Sequence, residues 1–109
     1  MFLADDQPVV VLCAGADRID ESRLRTGLGA GVVRRATADE AKSATGYPIG
    51  GVPPFAHERE CRVVADARLL RHARVWAAAG LPDAVFPIAP RDLVALAKAE
   101  VAEVAEVAV

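Results

Sequence analysis

Residues 8–14 read Pro-Val-Val-Val-Leu-Cys-Ala, an apolar and mostly β-branched run with no alternation of polar positions, and it stops at Gly15. Such a run fits a strand covered on both faces. Asp20, Glu21 and Ser22 place acids and a capping hydroxyl before Arg23, Leu24 and Arg25, and Gly27 and Gly29 close the segment, which predicts a short helix. Residues 31–36 predict a strand. Thr37 followed three residues later by Glu40 has the spacing of a capping box, and Gly46 supplies the stop, so a helix is predicted over 38–45.

The pattern breaks at residues 47–55, Tyr-Pro-Ile-Gly-Gly-Val-Pro-Pro-Phe. Three prolines and two adjacent glycines exclude both a helix and a central strand, leaving a shaped loop. Strands are predicted over 61–65, 75–79 and 84–88, with a helical turn over 68–72. Pro87 directs the last of these strands to an edge or terminal position. Pro90 at a helix N1 position opens an amphipathic helix carrying Leu93, Val94, Leu96, Ala97 and Val101. The Ala-Glu-Val triplets of residues 99–109 read as a low-complexity, acidic, fraying helical tail. The predicted fold class is α+β: a single domain over 1–98, with a mixed β-sheet and short flanking helices.

Composition narrows the class. A chain of 109 residues, 53% hydrophobic and 26% charged, is long enough to bury roughly two-thirds of its unfolded surface in one core. The run at 8–14 falls far short of the ~20 apolar residues of a membrane span, and the first residues do not resemble a signal peptide, so a cytoplasmic protein without a membrane partner is expected. Cys13 and Cys61 are too few for a disulfide framework or a metal cluster and are expected to pack in the core. Net charge is −2, but it is uneven: residues 18–74 hold eleven Arg or Lys against seven Asp or Glu, a local net of +4. A solvated surface and a patch that touches phosphates are both compatible with that excess.

The loop is the most informative candidate for chemistry. Its glycines let the backbone approach a ligand and present N–H groups, while its prolines remove freedom from a pocket wall. A tight structural turn would have the same composition. Asp66, after a strand and before a turn, is placed to cap a helix or to face a pocket. His57 and His72 have no metal-ligand spacing and are expected at the surface or at a ligand's edge. Trp76 and Phe86 lie in apolar strands and are expected in the core.

Thr45 and Gly46 leading into Gly50, Gly51, Val52, Pro53 and Pro54 resemble the Thr-Gly segment and Gly-x-x-x-Pro loop of the YbaK / prolyl-tRNA-synthetase-associated family. The similarity extends to the strand and Gly-x-x-x-Asp turn at 8–20, to Val64, Ala65 and Asp66 with Leu69 and Leu70, to the strand at 75–80, and to residues 88–93. It covers nearly everything from Met1 to about Leu96. Members hydrolyse the ester of wrongly charged tRNA, typically proline tRNA carrying alanine or cysteine. The resemblance therefore implies an aminoacyl-tRNA deacylase with no cofactor or metal, with the aminoacyl-tRNA acceptor end and prolyl-tRNA synthetase as partners. Thr45, Gly46, Gly50, Gly51, Val52, Pro53, Pro54 and Asp66 would be its substrate-binding residues. In the family picture the terminal ribose hydroxyl assists the reaction.

Departures from the family are as specific. The family's functional Lys precedes the position matched by Met1, Phe2 and Leu3, so the resemblance implies that the amino-terminal portion is missing; Lys42 and Lys98 match nothing functional, and no catalytic residue is assigned. Ala78 and Val85 stand where cysteine-specific members carry Ser and Asp. The alternative reading is a non-catalytic remnant or tRNA-binding module of the same fold.

Overall fold

The computed structural model describes residues 1–14, 18–48, 51–54, 56–57, 61–80 and 84–106. The apolar run becomes β2 (Gln7–Leu12), and a strand not foreseen from the pattern, β1 (Phe2–Ala4), pairs with it antiparallel. Asp5 and Asp6 join them at φ 48° and 64°, the left-handed conformations of a tight two-residue hairpin that glycine or asparagine more often supplies. The Asp5 carboxylate accepts hydrogen bonds from the N–H groups of Gly31 and Val32, which fixes the approach to β3 (Val33–Arg35) on the far side of β1. Those two bonds hold the Asp5 carboxyl below its ordinary pKa.

The helices start and stop where local chemistry dictates. In α1 (Glu21–Leu28), the Asp20 carboxylate accepts from Ser22 N and Arg23 N, and Gly29 closes the helix at φ 67°. In α2 (Ala38–Thr45), Thr37 and Glu40 form both halves of the capping box. Strand β4 (Arg62–Asp66) follows and pairs parallel with β2, so that Val10 lies beside Val63 and Val11 beside Val64.

Two core layers flank this parallel pair. On one face Val9 and Val64 meet Leu24 of α1, which is fully buried; on the other Val10 and Val63 meet Ala97 of α3 (Pro90–Ala97). Burial on both faces explains the absence of alternation in β2. After β4 come a 3₁₀ turn (Ala67–Arg71) and a separate antiparallel hairpin of β5 (Val75–Ala78) and β6 (Val85–Ile88).

The carboxy-terminal segment corrects the expectation of a helical tail. Lys98 ends α3 in a left-handed conformation, and Glu100–Ala102 forms β7, parallel to β4, completing the sheet order β3-β1-β2-β4-β7. Val104 and Ala105 then enter the core at 0% and 2% exposure. Val104 packs with Phe2, Val9, Leu24 and Val64, and the backbone of 104–106 bonds to Arg18 and Asp20. Valine every third residue suits a helix poorly, while an open sheet edge offers its backbone a ladder of hydrogen bonds. Among the described residues no helix is long and apolar enough to cross a membrane.

Candidate active site

Parallel strands β2 and β4 run out of the sheet at the same end, and a cleft of about 350 Å³ lies there. It is lined by Leu12 at the end of β2 with Cys13 and Ala14 beyond it, by Leu69 and His72 of the 3₁₀ turn and its cap, by the β5 strand, by Leu93 of α3, and by Val52 and Pro54 of the proline-rich loop. The size suits a small ligand, and apolar side chains share the lining about evenly with polar surface, the Cys13 thiol and the exposed His72 imidazole included.

The loop is held by its own neighbourhood. Thr45 is fully buried; its hydroxyl donates to Ala41 O at 2.7 Å and accepts from Tyr47 N at 3.1 Å, so the helix end and the loop start share one group. Gly46 closes α2 at φ 82°. The Tyr47 hydroxyl donates to Ala56 O at 3.2 Å, spanning the loop, and Gly51 N donates to Pro48 O at 3.0 Å. His57 Nε2 lies 2.6 Å from Pro53 O, an arrangement that puts the proton on Nε2. Pro54 is fully buried beneath this frame. Gly80, at φ 96°, lets β5 turn away beside the Tyr47 ring; a Cβ there would lie 3.1 Å from Tyr47 Cε1.

Of the residues singled out from the sequence, Val52 and Pro54 line the cleft, and Gly51 and Pro53 stand beside them in the loop. Gly50 lies outside the described residues. Thr45 and Gly46 sit behind the loop as its support. Asp66 is not part of the cleft lining: it is 1% exposed, caps the 3₁₀ turn through Arg68 N, and accepts Val104 N at 2.9 Å and Ala105 N at 3.1 Å. Its carboxylate ties β4 to the carboxy-terminal segment.

Three cleft features escape the sequence pattern. Trp76, expected in the core, is 64% exposed at the cleft's rim, because the β5–β6 hairpin turns its Trp76 and Val85 face outward. Phe86, on the opposite face, is half-buried. Cys13 and Cys61, expected in the core, are likewise half-buried, and Cys13 reaches the cleft. His72 became a cleft residue through the turn that Asp66 caps, a signal available only as the Asp-x-x-Leu turn itself. Among the described residues no group of three or more His, Cys, Asp or Glu side chains is arranged to hold a metal ion.

A mixed sheet whose parallel strands end at a cleft walled by a glycine- and proline-rich loop defines a YbaK-like α+β domain. The chain belongs to the aminoacyl-tRNA editing domain family, whose model matches residues 1–96. It superposes on a solved structure of a candidate trans-editing enzyme for prolyl tRNA synthetase with a TM-score of 0.91 and 36% identity, covering 97% of this chain and 67% of that one. The crystal structure of the hypothetical protein APE2540 gives a TM-score of 0.87 and 34% identity, over 96% of this chain and 70% of that one. Proline–tRNA ligases are also similar. That of Streptococcus thermophilus is 35% identical over 69 residues, 63% of this chain, and that of Lactobacillus gasseri is 42% identical over 66 residues, 61% of this chain. The matched region spans only 11–12% of those ligases.

Proposed function

We propose that this domain hydrolyses the ester of mischarged aminoacyl-tRNA, taking the aminoacyl end into the cleft between the β2 end and the 50–54 loop. The observation that carries the reading is the cross-braced loop, with Val52 and Pro54 lining a small cleft, in a chain of the editing family. An aminoacyl ester is already activated, so a held water and N–H groups directed at the developing oxyanion suffice without a strong nucleophile. At Gly51, whose own N–H is engaged by Pro48 O, the absence of a side chain lets a ligand come close to the backbone of the loop. The terminal ribose hydroxyl of the substrate would hold or relay the attacking water.

Ala78, among the residues bordering the cleft, offers no hydroxyl to a thiol or hydroxyl substrate, so alanyl-tRNA for proline is the preferred substrate and cysteinyl-tRNA the weaker one. The partners in this reading are the tRNA acceptor end and prolyl-tRNA synthetase. The test is deacylation of alanyl-, cysteinyl- and seryl-tRNA, followed as release of the labelled amino acid. Faster release from alanyl-tRNA is expected. Tight binding of all three without turnover would instead make the domain a binding module.

A further inference from the structure

The 3₁₀ turn has a second side. With three residues per turn, Leu69 and His72 share one side and Arg68 and Arg71 share another. Leu69 and His72 line the cleft; Arg68 and Arg71, with Arg23 of α1, line a separate hollow of about 430 Å³. Three arginines therefore border it. Two carboxylates also border the hollow. Glu103 is exposed, whereas the buried oxygens of Asp66 are engaged by Arg68 N, Val104 N and Ala105 N. Arg68 donates to Glu106 O at 3.1 Å, which steadies its side chain over the hollow. Arg23 sits 3.9 Å from Asp20, with both side chains more than a third exposed, a contact too long and too wet to hold the charge in place. Arg34 and Arg62, by contrast, make two-pronged bonds to Glu40 and Glu100.

We propose that the Arg23, Arg68 and Arg71 hollow binds a backbone phosphate of the RNA whose aminoacyl end occupies the neighbouring cleft. The proposal rests on the editing reading for the identity of the RNA, but not for the binding itself. A guanidinium fork matches phosphate oxygens in geometry as well as charge. One turn of backbone would then hold both ends of the substrate's recognition: its apolar side against the aminoacyl group, its basic side against the chain that carries it.

The test compares the wild-type domain with Arg23→Gln/Arg71→Gln, and with Arg71→Gln alone in case the α1 change disturbs folding; Lys42→Gln on α2 is the control. Binding of uncharged tRNA is measured by fluorescence anisotropy across a salt series. The double variant should bind about tenfold more weakly, with a log–log salt slope shallower by up to about 1, while the control stays at wild type. In turnover, KM for mischarged tRNA should rise in the double variant. Hydrolysis of a 3′-aminoacyl adenosine, which lacks the phosphates, should not change. Inorganic phosphate is the second arm: a site for the free ion would bind it at millimolar concentration and leave the variant's tRNA slope unchanged, which overturns the proposal. Wild-type tRNA binding without any deacylation would sink the editing reading and leave this one standing. Equal tRNA affinity and slope in wild type and both variants would refute it.

Discussion

The proline-rich loop at 47–57 and the carboxy-terminal segment at 99–106 both look irregular in the sequence, and both are fixed by side chains bonding to backbone. They differ in where those side chains come from. The loop's braces are local: Thr45 to Tyr47, Tyr47 to Ala56, His57 to Pro53, none more than nine positions apart. The carboxy-terminal segment is held by Asp66, 38 and 39 positions away, and by burial of Val104 among residues of β1, β2, α1 and β4. Local bracing makes a wall that can keep its shape while its surface meets a ligand. Distant bracing makes that segment part of the fold's stability, so the two regions should respond to mutation in different measurements.

The largest effect is expected at Asp66. Asp66→Ala leaves two buried N–H groups, of Val104 and Ala105, without their acceptor and removes the cap of the 3₁₀ turn. A loss of about 3 kcal/mol in urea-unfolding stability should follow. A loss below about 1 kcal/mol would erase the contrast drawn between the two regions. Next is Val104→Ala, which opens space in the main core cluster and should cost about 2 kcal/mol, with deacylation per folded molecule unchanged.

Gly80→Ala probes the loop side. The new Cβ would press on the Tyr47 ring at a backbone angle that side chains rarely adopt, for about 1 kcal/mol of stability. Deacylation kinetics should move more than the melt does, with KM raised several-fold as the ring and its loop shift. Unaltered kinetics beside a large stability loss would place Tyr47 with the distant-braced group.

The smallest effect concerns Glu40, whose carboxyl is held down to about 2 by hydrogen bonds from the Arg34 guanidinium and from the Thr37 backbone. Because the folded value lies below the ordinary 4.5, its contribution is complete above pH 4.5 and fades as pH falls towards 2. Glu40→Gln should lower stability slightly above pH 4.5 and converge with the wild type as pH falls towards 2, which flattens the acid limb of the profile. A variant whose loss is equally large at pH 3 and pH 7 would show that the capping geometry, rather than the charge, carries the effect.

What the sequence determined by itself is the part written in short-range chemistry. Asp20 with Gly29 and Thr37 with Glu40 and Gly46 bound their helices as the spacing predicts, since each cap bonds within four residues of itself. Prolines and glycines at 48–54 likewise exclude regular structure without reference to anything else, which is why the wall of the site could be found in the sequence. Tertiary structure alone decided the rest. Acidic Ala-Glu-Val triplets became β7 and a core plug because β4 had an open edge and Asp66 a buried Oδ1 that accepts two of their N–H groups. Trp76 left the core because the hairpin that carries it stands apart from the five-stranded sheet. The division of one turn into an apolar side and a basic side mattered only once Asp66 had set its start and α1 had brought Arg23 across. A hydrogen-bond partner 38 residues away leaves no periodicity for a window of sequence to register.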